Sequence, residues 1–123
     1  MHAYEPYRIK TKTAAYQVQE SDLGVIFNTV GAGGSVTFTL PVTTSLEDGW
    51  HCKFFQGADQ NMVIASYGSS DNIIVKNDLG ADTITFSTAT ELIGNGVEMV
   101  WDATNSLWMA FLMTEETVTA TIG

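Results

Sequence analysis

The chain has 123 residues, 45% of them apolar, a single cysteine and a formal charge of −9, enough for one domain with its own core. The lone Cys52 excludes an intrachain disulfide framework and fits a reducing site of synthesis. No apolar run approaches the roughly 18 residues of a membrane helix, residues 1–12 carry no apolar signal core, and the acidic balance repels phosphate backbones, so neither membrane, secretory leader nor nucleic acid is expected.

The charge is uneven along the chain. Arg8, Lys10 and Lys12 fall in the first twelve positions, leaving Lys53 and Lys76 against thirteen acidic residues from Thr13 onward. Residues 1–12 therefore read as a short extended basic arm, with Tyr4 and Tyr7 as aromatic anchors, ahead of an acidic domain over residues 13–123. Such an arm suits docking onto an acidic or grooved partner through Tyr4, Tyr7, Arg8, Lys10 and Lys12.

Beyond the arm the apolar residues recur with period two and β-branched residues dominate, which predicts strands throughout and no helix. Tyr16 to Val18 and Val25 to Phe27 are early candidates, followed by a glycine-rich turn at Gly31 to Gly34. From Ser35 to Leu40, Val36, Phe38 and Leu40 share one face, Thr37 and Thr39 the other, and Pro41 ends the strand. Trp50, Cys52 and Phe54 alternate with His51 and Lys53 in the same way, and short apolar runs follow at Met62 to Ala65 and Ile73 to Val75. Asn77 to Asp82 reads as a turn cluster. Ile84 and Phe86, then Val97, Met99 and Trp101, continue the alternation before a hairpin loop at Asp102 to Leu107, where Asn105 suits a positive backbone angle. Turn clusters every ten residues or so indicate an all-β fold, a β-sandwich or jelly-roll-like single domain.

Leu107 to Met113 is apolar on both faces, with Leu107, Met109, Phe111 and Met113 on one and Trp108, Ala110 and Leu112 on the other. Such a strand is either enclosed within the domain or buried against another subunit, which makes Leu107, Trp108, Met109, Phe111, Leu112 and Met113 the candidate subunit interface. Thr117 to Ile122 alternates again and suits either the domain's own sheet or a neighbour's edge.

No residue pattern points to catalysis, a metal or a cofactor. Gly31 to Gly34 lacks the spacing and following helix of a phosphate cradle. His51 and Cys52 are adjacent on a strand and project to opposite faces, which leaves Cys52 as a small core residue. Asp78 and Asp82 bracket Gly80 without the alternating ligands of a calcium loop. Trp50 and Trp101 align with apolar neighbours and belong to the core, so Trp108 and Tyr67, with the loop around Asn72 and Asp78, are the candidates for stacking on a sugar.

The order Tyr16-Gln-Val, Asp22-Leu-Gly, Phe27-Asn-Thr, a glycine-rich turn and Val36-Thr-Phe-Thr-Leu-Pro41 resembles the small β domains of tailed-phage virion proteins. The likeness continues through Gly49 and Trp50 to Phe55, Asp71-Asn-Ile-Ile, Gly96 opening Val97 to Trp101, and Trp108, covering Ala14 to Leu112. It implies a sandwich module that often forms trimers and serves as capsid decoration or cement protein, head fibre or tail-fibre part, with no catalytic site to carry over. Without fibrous repeats or a receptor-binding tip, a cement protein is the expected role: a homotrimer on the capsid surface of the virion, made in the host cytoplasm, with the major capsid protein as partner. The alternative is a tail-fibre or adhesin domain that binds host-surface carbohydrate.

Overall fold

The computed structural model describes residues 6–87, 93–113 and 120–122. Twelve strands and two single 3-10 turns make up the described chain: β1 Arg8–Thr11, β2 Tyr16–Gln17, β3 Val25–Asn28, β4 Val36–Thr39, β5 His51–Phe55, β6 Met62–Ala65, β7 Ile73–Val75, β8 Asp78–Ala81, β9 Thr83–Phe86, β10 Gly96–Asp102, β11 Leu107–Met113 and β12 Ala120–Ile122, with the turns at Glu20–Asp22 and Tyr67–Ser69. They form a seven-stranded sheet in the order β1-β3-β5-β10-β11-β7-β8 and a five-stranded sheet in the order β12-β9-β6-β4-β2. The predicted all-β sandwich is thus the observed architecture.

The path of the chain departs from a jelly roll. Its first six strands alternate between sheets: β1, β3 and β5 run parallel in the larger one, and β2, β4 and β6 run parallel in the smaller. Parallel neighbours cannot be joined by a tight turn, and here each crossover is a strand of the opposite sheet. The remaining strands are added mostly through antiparallel ladders, β10 and β11 as a hairpin placed between β5 and β7.

Period-two alternation fills the space between the sheets. Phe27 and Phe54 from the larger sheet meet Phe38 from the smaller one, with ring centroids 4.9–5.4 Å apart. Trp50, Trp101 and Trp108 form a second aromatic cluster, and the Trp50 indole donates to the Glu20 carbonyl at 2.8 Å. Cys52 is buried beside them, where desolvation, then the Asp22 and Glu98 charges, push its thiol well above the ordinary range. It is a core residue with no nucleophilic character.

Several local expectations are corrected. Asn77 to Asp82 is not a turn throughout: only Lys76 and Asn77 turn, Lys76 with a φ of 51°, and Asp78–Ala81 is a strand. In the β10–β11 hairpin the positive φ falls on Ser106 at 55°, while Asn105 closes the loop by donating its backbone and side-chain N–H groups to Asp102 at 3.1 and 2.8 Å. The Gly31 turn is as expected, with a φ of 84° and the Ala32 N–H bonded to the Thr29 carbonyl at 3.0 Å. The alternating tail closes the chain's own smaller sheet, since β12 pairs with β9; residues 117–119 lie outside the described residues.

Candidate binding face of the larger sheet

Of the residues expected to dock, Arg8 and Lys10 lie in β1 with Tyr7 and Lys12 flanking it, and those expected to form a subunit interface lie in β11 of the same sheet. β1 and β11 are four strand spacings apart, roughly 19 Å, with β3, β5 and β10 between them. Tyr4 lies outside the described residues.

The basic arm differs from a free extended segment. Arg8 and Lys10 pair in register with the buried Val25 and Phe27, so the β1 cations sit on the inward side of an edge strand and Ile9 points outward with Ile26. Inward-pointing charge at an edge resists pairing with foreign strands. Each cation has a partner within the chain: Arg8 donates to the carbonyls of Ser21 (3.1 Å) and Leu23, Lys10 contacts Asp22 at 2.6 Å, and Lys12 lies 4.1 Å from the Tyr16 ring centroid.

Asp22 is the centre of this arrangement, a role that its place in the Asp22-Leu-Gly element does not announce. It is fully buried and accepts from Lys10 Nζ at 2.6 Å, Tyr16 Oη at 2.9 Å and the Gln19 N–H at 2.9 Å. Burial by itself would raise its pKa, but the hydrogen bonds from Lys10, Gln19 and Tyr16 outweigh burial and hold the carboxyl below its ordinary range. The Lys10 ammonium is correspondingly raised by its bond to Asp22. One carboxylate thereby ties β1, β2 and the first 3-10 turn together.

The outward face of the larger sheet follows from the registers. One row runs Ile9, Ile26, Lys53, Glu98, Phe111, and the next runs Thr11, Asn28, Phe55, Gly96, Met113. Phe55, Phe111 and Met113 are exposed, with Met109 and Leu107 half-buried beside them, so the β5 to β11 half carries an apolar strip. The β1 to β5 half carries a hollow of about 340 Å³ lined by Pro6, Tyr7, Arg8, Leu23, Gly24, His51, Cys52, Lys53 and Glu98, where Lys53 Nζ sits 4.9 Å from the Tyr7 ring centroid.

Two of the six interface residues face the other way. Trp108 pairs with Trp101 in the core and is fully buried, and Leu112 packs against the same core. Neither is available to a second subunit, and Trp108 is no platform for a sugar. Leu107, Met109, Phe111 and Met113 share one face, as their alternation predicted, and the structure turns that face outward.

Of the two aromatic candidates for stacking on a sugar, Tyr67 is the one that remains accessible. It is half exposed at a groove of about 430 Å³ shared with Gln17, Val18, Gln19, Glu20, Pro41 and Val42. Asp78 is committed to the chain itself through its carboxylate to the Gly80 N–H at 2.8 Å, and the Asn72 backbone carbonyl accepts from the Trp108 N–H at 2.7 Å while its side-chain Oδ1 is buried. Among the described residues no three His, Cys, Asp or Glu side chains are grouped as metal ligands, and no helix is long and apolar enough to cross a membrane.

No family model matches the chain, and no curated protein matches it.

Proposed function

We propose that this chain is a structural virion protein of the capsid decoration or cement type, which binds the outer head surface through the major capsid protein and stabilises it as a homotrimer. The observation that carries the reading is the outward face of the seven-stranded sheet, where Phe55, Phe111 and Met113 remain exposed on a rigid, fully paired centre of the sheet. Contiguous exposed apolar side chains mark interaction surfaces, and a surface on paired strands needs no ordering on contact. The ordered residue pattern from Ala14 to Leu112 supplies the virion context. In this reading the β1 cations hold the edge strand in shape, and Tyr7, at the rim of the hollow, is the arm residue placed to touch a partner.

Heads of the phage that encodes the chain, prepared with and without the protein, test the reading. Heads lacking it are expected to burst at lower osmotic or thermal stress, and adding purified protein back restores them. Equal stability of the two preparations contradicts it.

The second reading, a carbohydrate-binding adhesin or tail-fibre domain, rests on the Tyr67 groove, which offers an aromatic face beside the polar side chains of Gln17, Gln19 and Glu20. A glycan array separates the two. The cement reading predicts no binding, whereas an adhesin binds selected glycans and loses at least tenfold in affinity with Tyr67→Ala.

A further inference from the structure

The three most exposed large apolar side chains among the described residues stand at opposite ends of one sheet. Leu79 (77% exposed) belongs to β8 at one edge, and Ile9 (67%) and Tyr7 (65%) belong to β1 and the residue before it at the other. Six strand spacings, roughly 29 Å, separate them. Among the described residues no strand covers the outer side of β1 or of β8.

The charges at the two ends are opposite. In the hollow beside Tyr7 lie Arg8 and Lys53, with Glu98 as its one carboxylate. Around Leu79 the β7–β8 hairpin and its flanks carry Asp71, Asp78 and Asp82 against Lys76. In a chain of net charge −9, a local excess of cations beside exposed apolar groups is the surface best matched to an acidic, apolar-tipped hairpin of a second copy.

We propose that these two ends are the halves of one contact between copies of this chain. Leu79 of one copy packs against Tyr7, Ile9 and Leu23 of the next, and the Asp71 carboxylate faces Lys53. The contact is made by side chains rather than by strand addition, because the inward cations of β1 and the Asp78 cap on the Gly80 N–H blunt both edges. Joining unlike surfaces makes the contact head-to-tail, which closes into a ring where the rotation between copies permits and otherwise continues as a filament. The apolar strip on Phe55, Phe111 and Met113 stays free in either case.

The inference rests on the oligomer of the proposed function but not on its head-binding role, and it is tested without heads. Purified full-length protein is followed by sedimentation velocity as wild type, Leu79→Asp, Ile9→Asp and an equimolar mixture of the two variants, with circular dichroism confirming that each is folded. Wild type is expected to assemble, and each variant alone to associate at least 30-fold more weakly, about what loss of one buried leucine-sized side chain costs. The mixture should form a one-to-one heterodimer and nothing larger, since each partner retains one intact end. A monomeric wild type, variants that assemble as wild type does, or a mixture that stays monomeric overturns the proposal. Heads that bind a monomeric wild type would leave the cement reading standing while this contact fails.

Discussion

Gly96→Ala is expected to lower the melting midpoint by roughly 15 °C, or to prevent folding, a loss of about 4 kcal/mol. Gly96 sits at the start of β10, in register with Phe55 on one side and Met113 on the other. A Cβ there would lie 2.1 Å from the Phe54 carbonyl oxygen and 3.2 Å from its carbon. Both are backbone atoms of a central strand, so no side-chain rotation relieves the contact and β5 and β10 must separate. Gly96 is flanked in register by Phe55 and Met113, so the candidate face is disturbed along with the core. Gly33 is the control, because its added Cβ meets nothing within 4 Å and its φ is not in the left-handed region. Gly33→Ala should stay within about 0.5 kcal/mol of wild type, and thermal melts of the three proteins decide the matter.

Asp22→Ala is expected to cost about 3 kcal/mol at neutral pH by urea denaturation. The substitution removes the acceptor shared by Lys10, Tyr16 and the Gln19 N–H and leaves those donors facing a buried gap. Lys10 is partly exposed and can turn to water, which keeps the loss below that of a fully enclosed ion pair. Because the native carboxyl is held below its unfolded pKa, its contribution is present above about pH 4 and is lost as pH falls through the native value. Wild type and variant should therefore converge in acid, and a gap between them that persists unchanged to pH 2 would refute this role. Hydrogen exchange supplies the local readout: the β1 amides, held through Lys10, should exchange faster in the variant.

How far the sequence reveals this architecture depends on what alternation encodes. Val36, Phe38 and Leu40, or Cys52 and Phe54, announce which side chains face inward, and Ile73–Val75 and Met62–Ala65 are strands at the positions expected. Alternation does not say which strand lies beside which. The parallel winding of the first six strands was hidden for that reason, since turn clusters look alike whether the next strand pairs with the last or crosses to the opposite sheet. β8 was hidden because Asp78-Leu79-Gly80-Ala81 lacks β-branched residues, and β1 because its charges, not its isoleucine, face inward.

The candidate face was half legible. Two-residue periodicity separated Phe111 and Met113 from Trp108 and Leu112, but only the Trp101–Trp108 pairing decides which set is turned to the core. Asp22 carried no local sign of its role, because its cation comes from a different strand twelve residues away. The signal that was available is the spacing of Arg8, Lys10 and Lys12, a strand period with all three charges on one side. It marks an edge strand bound to the body as much as it marks a basic arm.

Co-sedimentation of the purified protein with heads lacking it is the most direct measurement of the central claim, made with wild type, the folded double variant Phe111→Asp/Met113→Asp, and Tyr67→Ala. Binding through the outward face of the larger sheet predicts that wild type and Tyr67→Ala pellet with the heads to the same extent and that the double variant binds at least 100-fold more weakly, as expected for two lost apolar anchors. Full binding by the double variant, or loss of binding by Tyr67→Ala alone, would contradict it.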